Sequence, residues 1–393
     1  MFERPKIPED YFQLSKIAMQ KLQTVNVIIW GAFGIGNLIF KHLKENRINI
    51  VCYCDNNLEF SKVVNNVPVL SIEECLEKYP DAVYILSARE LTSIKKMEEQ
   101  LKSLCSSPEY IYYDIIYFHY ILFHRDVVPL KLANALFAFF EGARNSLLIN
   151  SLSFRITSKC SLRCKNCSFH IPYHKNYFDF DFNELMFSLR KFCDLTDAVL
   201  EITVNGGETL LYTDLIELLE EISKINNIIL ITVVTNGTII PSDSLCEVMN
   251  KLGVILRISD YGEYSNNICQ VKEKCQKYSV PYFKYHRANV WFELGRTKHN
   301  RSMEMNKKIQ ELCPFNCGEN RRILGIFNNE VHVCDRIDGV LSENINADVV
   351  GFQLTENVTK NELQDFLNHG EHYKACDYCN YPFTEIPAGE QEE

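Results

Sequence analysis

Residues 152–167 read LSFRITSKCSLRCKNC, a short apolar run followed by three cysteines spaced C-x3-C-x2-C. The run has the branched and aromatic residues of a buried strand, and the polar segment after it reads as a loop. A lone cysteine is usually a small buried hydrophobe; three on one loop point to a shared inorganic centre. Three thiolates on an iron–sulfur cube leave one iron open to a substrate or cofactor. A four-coordinate zinc ion would need one more ligand, and His170 stands within reach.

Outward from this segment the chain alternates. Strands are expected at 199–207, 228–237, 254–262 and 281–285, with helices over 183–192, 210–224, 242–251 and 266–278. Together with 152–157 they form the pattern of a parallel sheet, whose ligands bind at the carboxyl ends of the strands. The second strand ends in Gly206-Gly207-Glu208, where bare glycines admit a ligand close to the backbone and a carboxylate can accept from an ammonium group. The third ends in Thr235-Asn236-Gly237 and the fourth in Ser259-Asp260-Tyr261. Each triplet alone also suits a turn or a helix cap. Their weight comes from occurring after consecutive strands.

This succession resembles the radical S-adenosylmethionine (SAM) superfamily. The resemblance implies a partial (β/α)6 TIM barrel, a [4Fe-4S] cluster on Cys160, Cys164 and Cys167, and SAM chelated to the open iron. It further implies that Gly206, Gly207, Glu208, Asn236, Ser259 and Phe169 hold the SAM. Two positions depart from the family pattern: Asn166 stands where an aromatic residue usually precedes the last cysteine, and Thr209 where proline usually follows the glutamate. In such enzymes one-electron reduction cleaves SAM to a 5'-deoxyadenosyl radical that abstracts a substrate hydrogen, the electron coming from a flavodoxin or ferredoxin. Catalytic candidates facing the barrel mouth are Asp260, Tyr261 and His286, with Arg287, Glu293, Arg296, His332 and Asp335 in the same neighbourhood.

A second cysteine group occupies the tail: Cys313, Cys317, Cys334, Cys376 and Cys379. Asn328-Asn329 between ILGIF and VHV reads as a hairpin turn, since asparagine tolerates the left-handed backbone, and the hairpin returns Cys334 toward Cys317. Five thiols for four positions leave one spare, with Cys313 or Cys317 completing the set. The tail resembles the twitch domain, a shortened SPASM auxiliary domain, which implies a second [4Fe-4S] cluster. Structural zinc suits the same spacings.

Ahead of the barrel, residues 25–56 form a βαβ unit whose glycines, Gly31, Gly34 and Gly36, fall as G-x-x-G-x-G instead of the dinucleotide fingerprint. Asp55 ends the second strand, where a ribose hydroxyl would sit. With strands at 82–88 and 110–115 this makes a Rossmann-like parallel sheet, similar to modules of bacterial sugar and polysaccharide biosynthesis proteins. An apolar helical connector follows, in which His119 and His124 read as core or surface residues. The expected organisation is α/β throughout: a Rossmann-like domain over 1–118, a connector over 119–150, the barrel over 151–305 and an auxiliary domain over 306–393.

The whole chain, 393 residues with 46% hydrophobic content and 16 cysteines, is globular and long enough for several cores. A net charge of -10 argues against gripping a nucleic-acid backbone. The apolar run at 127–140 carries Lys131 and is too short to span a bilayer. The opening residues show no signal-peptide pattern, so a cytoplasmic protein with reduced thiols is expected. Resemblance to aminocyclitol dehydrogenases, with the sugar-related flavour of the first domain, implies an oxidoreductase, dehydrogenase or epimerase, acting on a sugar-nucleotide, polyol or other sugar-related small molecule. The alternative readings are a peptide-modifying maturase and a non-catalytic iron–sulfur scaffold.

Overall fold

The computed structural model describes all residues except 1–2, 33, 57–61, 89–90, 143–145, 286–289, 294, 296, 314–322, 335–350, 370 and 393. Helix α1 (Asp10–Leu22) precedes a first sheet built from β1 (Val27–Trp30), α2 (Ile35–Glu45), β2 (Ile50–Cys54), β3 (Val63–Val64), β4 (Val67–Leu70), α3 (Ile72–Lys78), β5 (Val83–Leu86), α4 (Leu91–Leu104) and β6 (Tyr110–Tyr112). The strand order is β3-β4-β2-β1-β5-β6, with β1 parallel to both β2 and β5. All four β1 residues are buried, as expected of a strand covered on both faces. Ser71 and Glu74 close a reciprocal capping box at the start of α3.

The expected strand at 110–115 stops at Tyr112, and α5 (Tyr113–His124) begins at once. Asp114, in the first turn of α5, is fully buried and accepts from the Tyr11 hydroxyl at 2.7 Å and from Arg4 Nη1 at 3.1 Å. That network ties α1 and the chain before it to α5, so tertiary contacts override the strand-like aromatic composition. Helix α6 (Pro129–Glu141) follows, opened by a proline and closed by Gly142 at φ 69°.

The second sheet contains β7 (Leu148–Ile149), β8 (Ser151–Thr157), β9 (Ala198–Gly206), β10 (Ile228–Thr235), β11 (Ile255–Ser259) and β12 (Tyr282–Tyr285), linked by α7 (Phe182–Asp194), α8 (Leu215–Ser223), α9 (Asp243–Leu252) and α10 (Ile268–Lys277). β8 through β12 pair in chain order and in parallel. Alternate residues such as Phe154, Ile202, Val233 and Leu256 join the apolar core under the helices. The opposite face is polar yet buried: Ser153, Arg155 and Thr157 on β8, Glu201, Thr203 and Asn205 on β9, Thr232 on β10 and Ser259 on β11. A polar face withdrawn from water is what a binding cavity requires and a simple core does not.

The remaining parallel strand does not follow β12. After β13 (Val290–Phe292) and α11 (Met303–Leu312), β14 (Ile323–Phe327) joins the other edge, parallel to β8. A hairpin leads to β15 (Glu330–His332), then β16 (Phe352–Gln353). Its two turn residues, Asn328 and Asn329, take φ 49° and 62° as the sequence suggested. β17 (Glu385–Pro387) pairs antiparallel with β13.

The first domain meets the second sheet at the amino ends of its strands. Ala198, Leu200, Ile229, Leu230 and Ile255 belong to the same apolar cluster as the first sheet. Buried Arg125, just past α5, donates to the carbonyls of Ile228, Ile229 and Leu252 at 3.0–3.2 Å, and Tyr117 donates to Ile229 at 2.8 Å. The carboxyl ends of β8–β12 are thereby left to the loops.

Candidate functional site

Strand β8 releases the chain into the cysteine loop beside the end of β9. Gly206 and Gly207 are there because nothing larger fits. A Cβ on Gly206 would meet the Thr157 carbonyl oxygen at 2.3 Å, and one on Gly207 would meet the Lys159 oxygen at 2.1 Å and the Cys160 Cβ at 2.9 Å. Gly207 and Glu208 also donate their amides to Thr157 and Lys159, at 2.9 and 2.8 Å. The glycine pair and the cysteine loop therefore hold each other.

Glu208 is fully buried, and its carboxylate accepts from the amides of Asn236 at 2.7 Å and Leu210 at 3.1 Å. Burial lifts its pKa to about 7. Through these bonds the carboxylate that the sequence suggested as an ammonium acceptor also joins the ends of β9 and β10. Asn236 donates to Ser161 at 3.1 Å and reaches Cys160 Sγ at 3.7 Å, so the third strand also steadies the loop. Ser259 lies buried at the end of β11. Phe169 stacks under the Arg155 guanidinium, 5.2 Å from the ring centroid.

Burial pushes the Cys160 and Cys164 thiols up to about 12 and raises Cys167 as well. Such thiols become ligands only when a cation replaces their protons. No three cysteine sulfurs among the described residues lie within 4.8 Å of one another. Three thiols on one loop are the donor set of an iron–sulfur cube that leaves one iron open. A polar atom waits nearby: Asn205 Oδ1, just before the glycine pair, is buried without a hydrogen-bond partner among the described residues. The residues present fit an iron–sulfur centre with a polar ligand beside it.

Asp260 is ion-paired to Lys284 and accepts the Gly262 amide at 2.9 Å. Burial would raise its pKa, but Lys284 and that amide outweigh burial and hold it low. A carboxylate so held is a poor proton acceptor near neutrality. Tyr261 packs edge-on against Trp291 at 5.2 Å, facing Cys164 and Cys167, and burial raises its phenol pKa. His332 is buried in β15 against Glu330, and Glu293 is exposed. His286, Arg287, Arg296 and Asp335 lie outside the described residues.

In the tail, Cys313 follows α11, and Cys376 and Cys379 form a knuckle that packs on that helix. Arg301 donates to the carbonyls of Cys376 and Cys379 at 3.2 and 2.9 Å, while Asp377 accepts the Asn300 and Arg301 amides at 3.1 and 2.7 Å. Cys334 follows β15, and Cys317 lies outside the described residues.

Two contributors escaped the sequence reading. Arg155 interrupts an apolar strand, a visible signal, and its guanidinium lies among Phe169, Phe180 and Phe327. Gln391 gave no local signal. The segment after β17 runs along the cysteine loop: Lys165 donates to the Glu390 carbonyl at 2.8 Å, and the Gln391 amide reaches Cys164 Sγ at 3.4 Å.

In the first domain the glycine turn is closed by its own chain. Asp55 accepts the Ala32 amide at 3.0 Å, and Ser87 donates to the Trp30 carbonyl at 2.7 Å.

The Radical SAM superfamily model matches residues 154–280, a span that holds the cysteine loop, the glycine pair and the ends of β10 and β11. No curated protein matches the sequence. Among solved structures, BtrN in complex with AdoMet and 2-DOIA is 16% identical over 63% of this chain and 97% of its own, with a TM-score of 0.37. SuiB of Streptococcus suis bound to precursor peptide SuiA is 14% identical over 64% and 74%, at 0.33. Native anSMEcpe with bound AdoMet and Cp18Cys peptide is 23% identical over 35% of this chain and only 42% of its own, at 0.29. No described helix is long and apolar enough to cross a membrane. The family match implies SAM and an iron–sulfur centre as the cofactor class and supports enzymatic activity. The match to the radical SAM superfamily thus falls on residues 154–280, about a third of the chain, and on the segment that carries the cysteine loop and the glycine pair.

Proposed function

We propose that the chain is a radical SAM enzyme that generates a substrate radical at the carboxyl ends of β8–β12, with Cys160, Cys164 and Cys167 as cluster ligands. The observation that carries this reading is the interlocked cysteine loop and Gly206-Gly207 pair beside a buried polar sheet face. When bound and reduced, the cluster with SAM supplies a 5'-deoxyadenosyl radical able to take hydrogen from an unactivated C–H bond. The chain's own part is placement. Gly206 and Gly207 let the cysteine loop pack directly on the end of β9, so that their backbone lies beside the methionine end of SAM; Asn236 and Glu208 fix the loops around it, and Ser259 and Phe169 border the remainder. Arg155, Glu201 and Asn205 on the sheet face offer charge and hydrogen bonds to a polar substrate and keep bulk water out.

The tail thiols Cys334, Cys376 and Cys379, completed by Cys313 or Cys317, are assigned a second [4Fe-4S] cluster of the twitch type. Four protein thiolates would leave it unable to chelate substrate, so its use would be to accept an electron from the substrate radical. A flavodoxin or ferredoxin would deliver the first electron.

Two substrate classes are in play. Oxidation or epimerisation of a sugar-related molecule or polyol is the first. It is supported by the buried polar sheet face and by the first domain packing at the amino ends of the strands, where it is poorly placed to present a peptide to the opposite loops. Peptide modification is the second reading, since anSMEcpe and SuiB have both been solved with peptides. The test is anaerobic incubation of the reduced, cluster-loaded chain with SAM and either polyols and sugar nucleotides or cysteine-containing peptides. Formation of 5'-deoxyadenosine coupled in one class to loss of two hydrogens, for oxidation, or to inversion at one carbon without mass change, for epimerisation, identifies the substrate. Cluster-loaded protein that yields no 5'-deoxyadenosine with any of them would leave only the non-catalytic scaffold.

A further inference from the structure

Away from the cysteine loops, α2 and α5 face each other with an unusual set of side chains. His42 and Glu45 lie one turn apart on α2, on the same helix face. His119 and His124 come from α5. One ligand atom each from His42, Glu45 and His124 lies within 4.8 Å of the others. Glu45 Oε2 is 3.5 Å from His124 Nε2, and His42 Nε2 is 2.8 Å from His119 Nδ1.

His42 is only 2% exposed, and its Nδ1 has no hydrogen-bond partner among the described residues. The bond to His119 restricts how that atom can be used. If His119 donates, His42 must carry its proton on Nδ1, burying an N–H with no acceptor, which folded proteins rarely tolerate. If His42 donates from Nε2, Nδ1 is left as a bare lone pair. That second arrangement is the tautomer of a metal-bound histidine whose far nitrogen is held by an outer partner.

We propose that His42 Nδ1, Glu45 Oε2 and His124 Nε2 form a zinc(II) site, with His119 as the outer partner that orients His42 and water in the fourth position. Two imidazoles and a carboxylate suit zinc in both chemistry and number. Zinc bonds of 2.0–2.1 Å need donor atoms about 3.3 Å apart, closer than the present spread. Glu45 and His124, with side chains 45% and 19% exposed, are free enough to close in on His42. Lys41 is the opposing cation, 3.8 Å from Glu45 Oε1. Its ammonium is anchored to the Asn250 carbonyl at 2.7 Å, which leaves Oε2, the oxygen on the His124 side, for the metal. The Lys251 backbone also faces His124. A bound ion would thus pin α2 of the first domain to α5, at the place where both rest on the base of the second sheet.

The test is zinc titration against a competing chromophoric chelator, using the full chain with its iron–sulfur centres already loaded so that the cluster-binding cysteines are occupied. One zinc per chain is expected in the parent protein, lost in Glu45→Gln and in His124→Asn, with iron content and circular dichroism unchanged. His119→Ala keeps the ligands and weakens binding by about 10–100-fold. Cobalt(II) in the same site gives visible bands without the sulfur charge-transfer band of thiolate ligation. Failure of the parent chain to bind zinc, zinc retained equally by Glu45→Gln and His124→Asn, or a cobalt spectrum dominated by sulfur would each overturn the proposal.

Discussion

After β1 the backbone turns at Gly31 and after β9 at Gly206, in each case because a side chain would strike a neighbouring strand. A Cβ on Gly31 would meet the Ser87 carbonyl oxygen at 2.4 Å, and one on Gly206 the Thr157 carbonyl oxygen at 2.3 Å. Both turns stand at carboxyl ends of parallel strands, where α/β sheets take their ligands. What differs is the use of the polar groups around them. In the first domain Asp55 and Ser87 hydrogen-bond to the turn and its strand. At the second turn the glycines pack against the backbone of the cysteine loop, and Asn205 Oδ1, just before them, is buried without a hydrogen-bond partner among the described residues. Two turns of similar backbone logic therefore separate into one that completes a fold and one that leaves binding capacity unspent.

Substitutions can break that contrast, and the largest effect should come from the thiols. Two [4Fe-4S] centres would hold about eight irons per chain, and Cys164→Ala should reduce this to about four while the tail centre survives. Iron and sulfide analysis after anaerobic reconstitution decides it; a variant that still holds the full complement would remove Cys164 from the ligand set. Next come the glycines as a pair. Gly207→Ala must push the cysteine loop away from β9, so its iron content should also fall toward the lower value. Gly31→Ala, strained at φ 111°, should cost about 2–3 kcal/mol of stability in denaturant unfolding, yet leave SAM cleavage per folded chain unchanged. Loss of cleavage in the Gly31 variant would erase the distinction between the turns.

At the junction beneath the barrel, Arg125→Met abandons the carbonyls of Ile228, Ile229 and Leu252. About 3 kcal/mol of stability should go with them, read from the shift of the unfolding midpoint. The smallest effect is reserved for Gln391→Ala. Its amide donates to Cys164 Sγ, and a donor to sulfur favours the reduced cluster, so removal should lower the reduction potential. A bond of about 0.5–1.5 kcal/mol corresponds to a drop of about 20–60 mV. Electrochemical titration showing no drop would make the segment after β17 a passive cover.

The strands and helices between 152 and 285 were legible because period and punctuation agree: apolar runs end in glycine or polar triplets, and helices begin at Asp181 and Ser242 caps. Asn328-Asn329 announced its hairpin by a local backbone preference. Pairings made at a distance were not legible. Nothing in ILGIF says that it will lie beside β8, and nothing around Gln391 says that it will meet Cys164. Tyr113 starts a helix within a strand-like aromatic run because buried Asp114 is claimed by Tyr11 and Arg4, more than a hundred residues away in sequence. The site divides in the same way. Cysteine and glycine spacing is a local signal, whereas the use of Glu208 as a strap for the Asn236 amide depends on where β10 ends. His42, His119 and His124 were unremarkable as separate residues and became a set only when α2 met α5.

If the turn after β9 and the cysteine loop form a SAM-cleaving centre, the reduced, cluster-loaded chain releases 5'-deoxyadenosine when it meets SAM under strict anaerobiosis. Stoichiometric or greater release is expected from the parent chain and none from Cys164→Ala. Equal release from both, or none from a parent chain with its full iron complement, would contradict it.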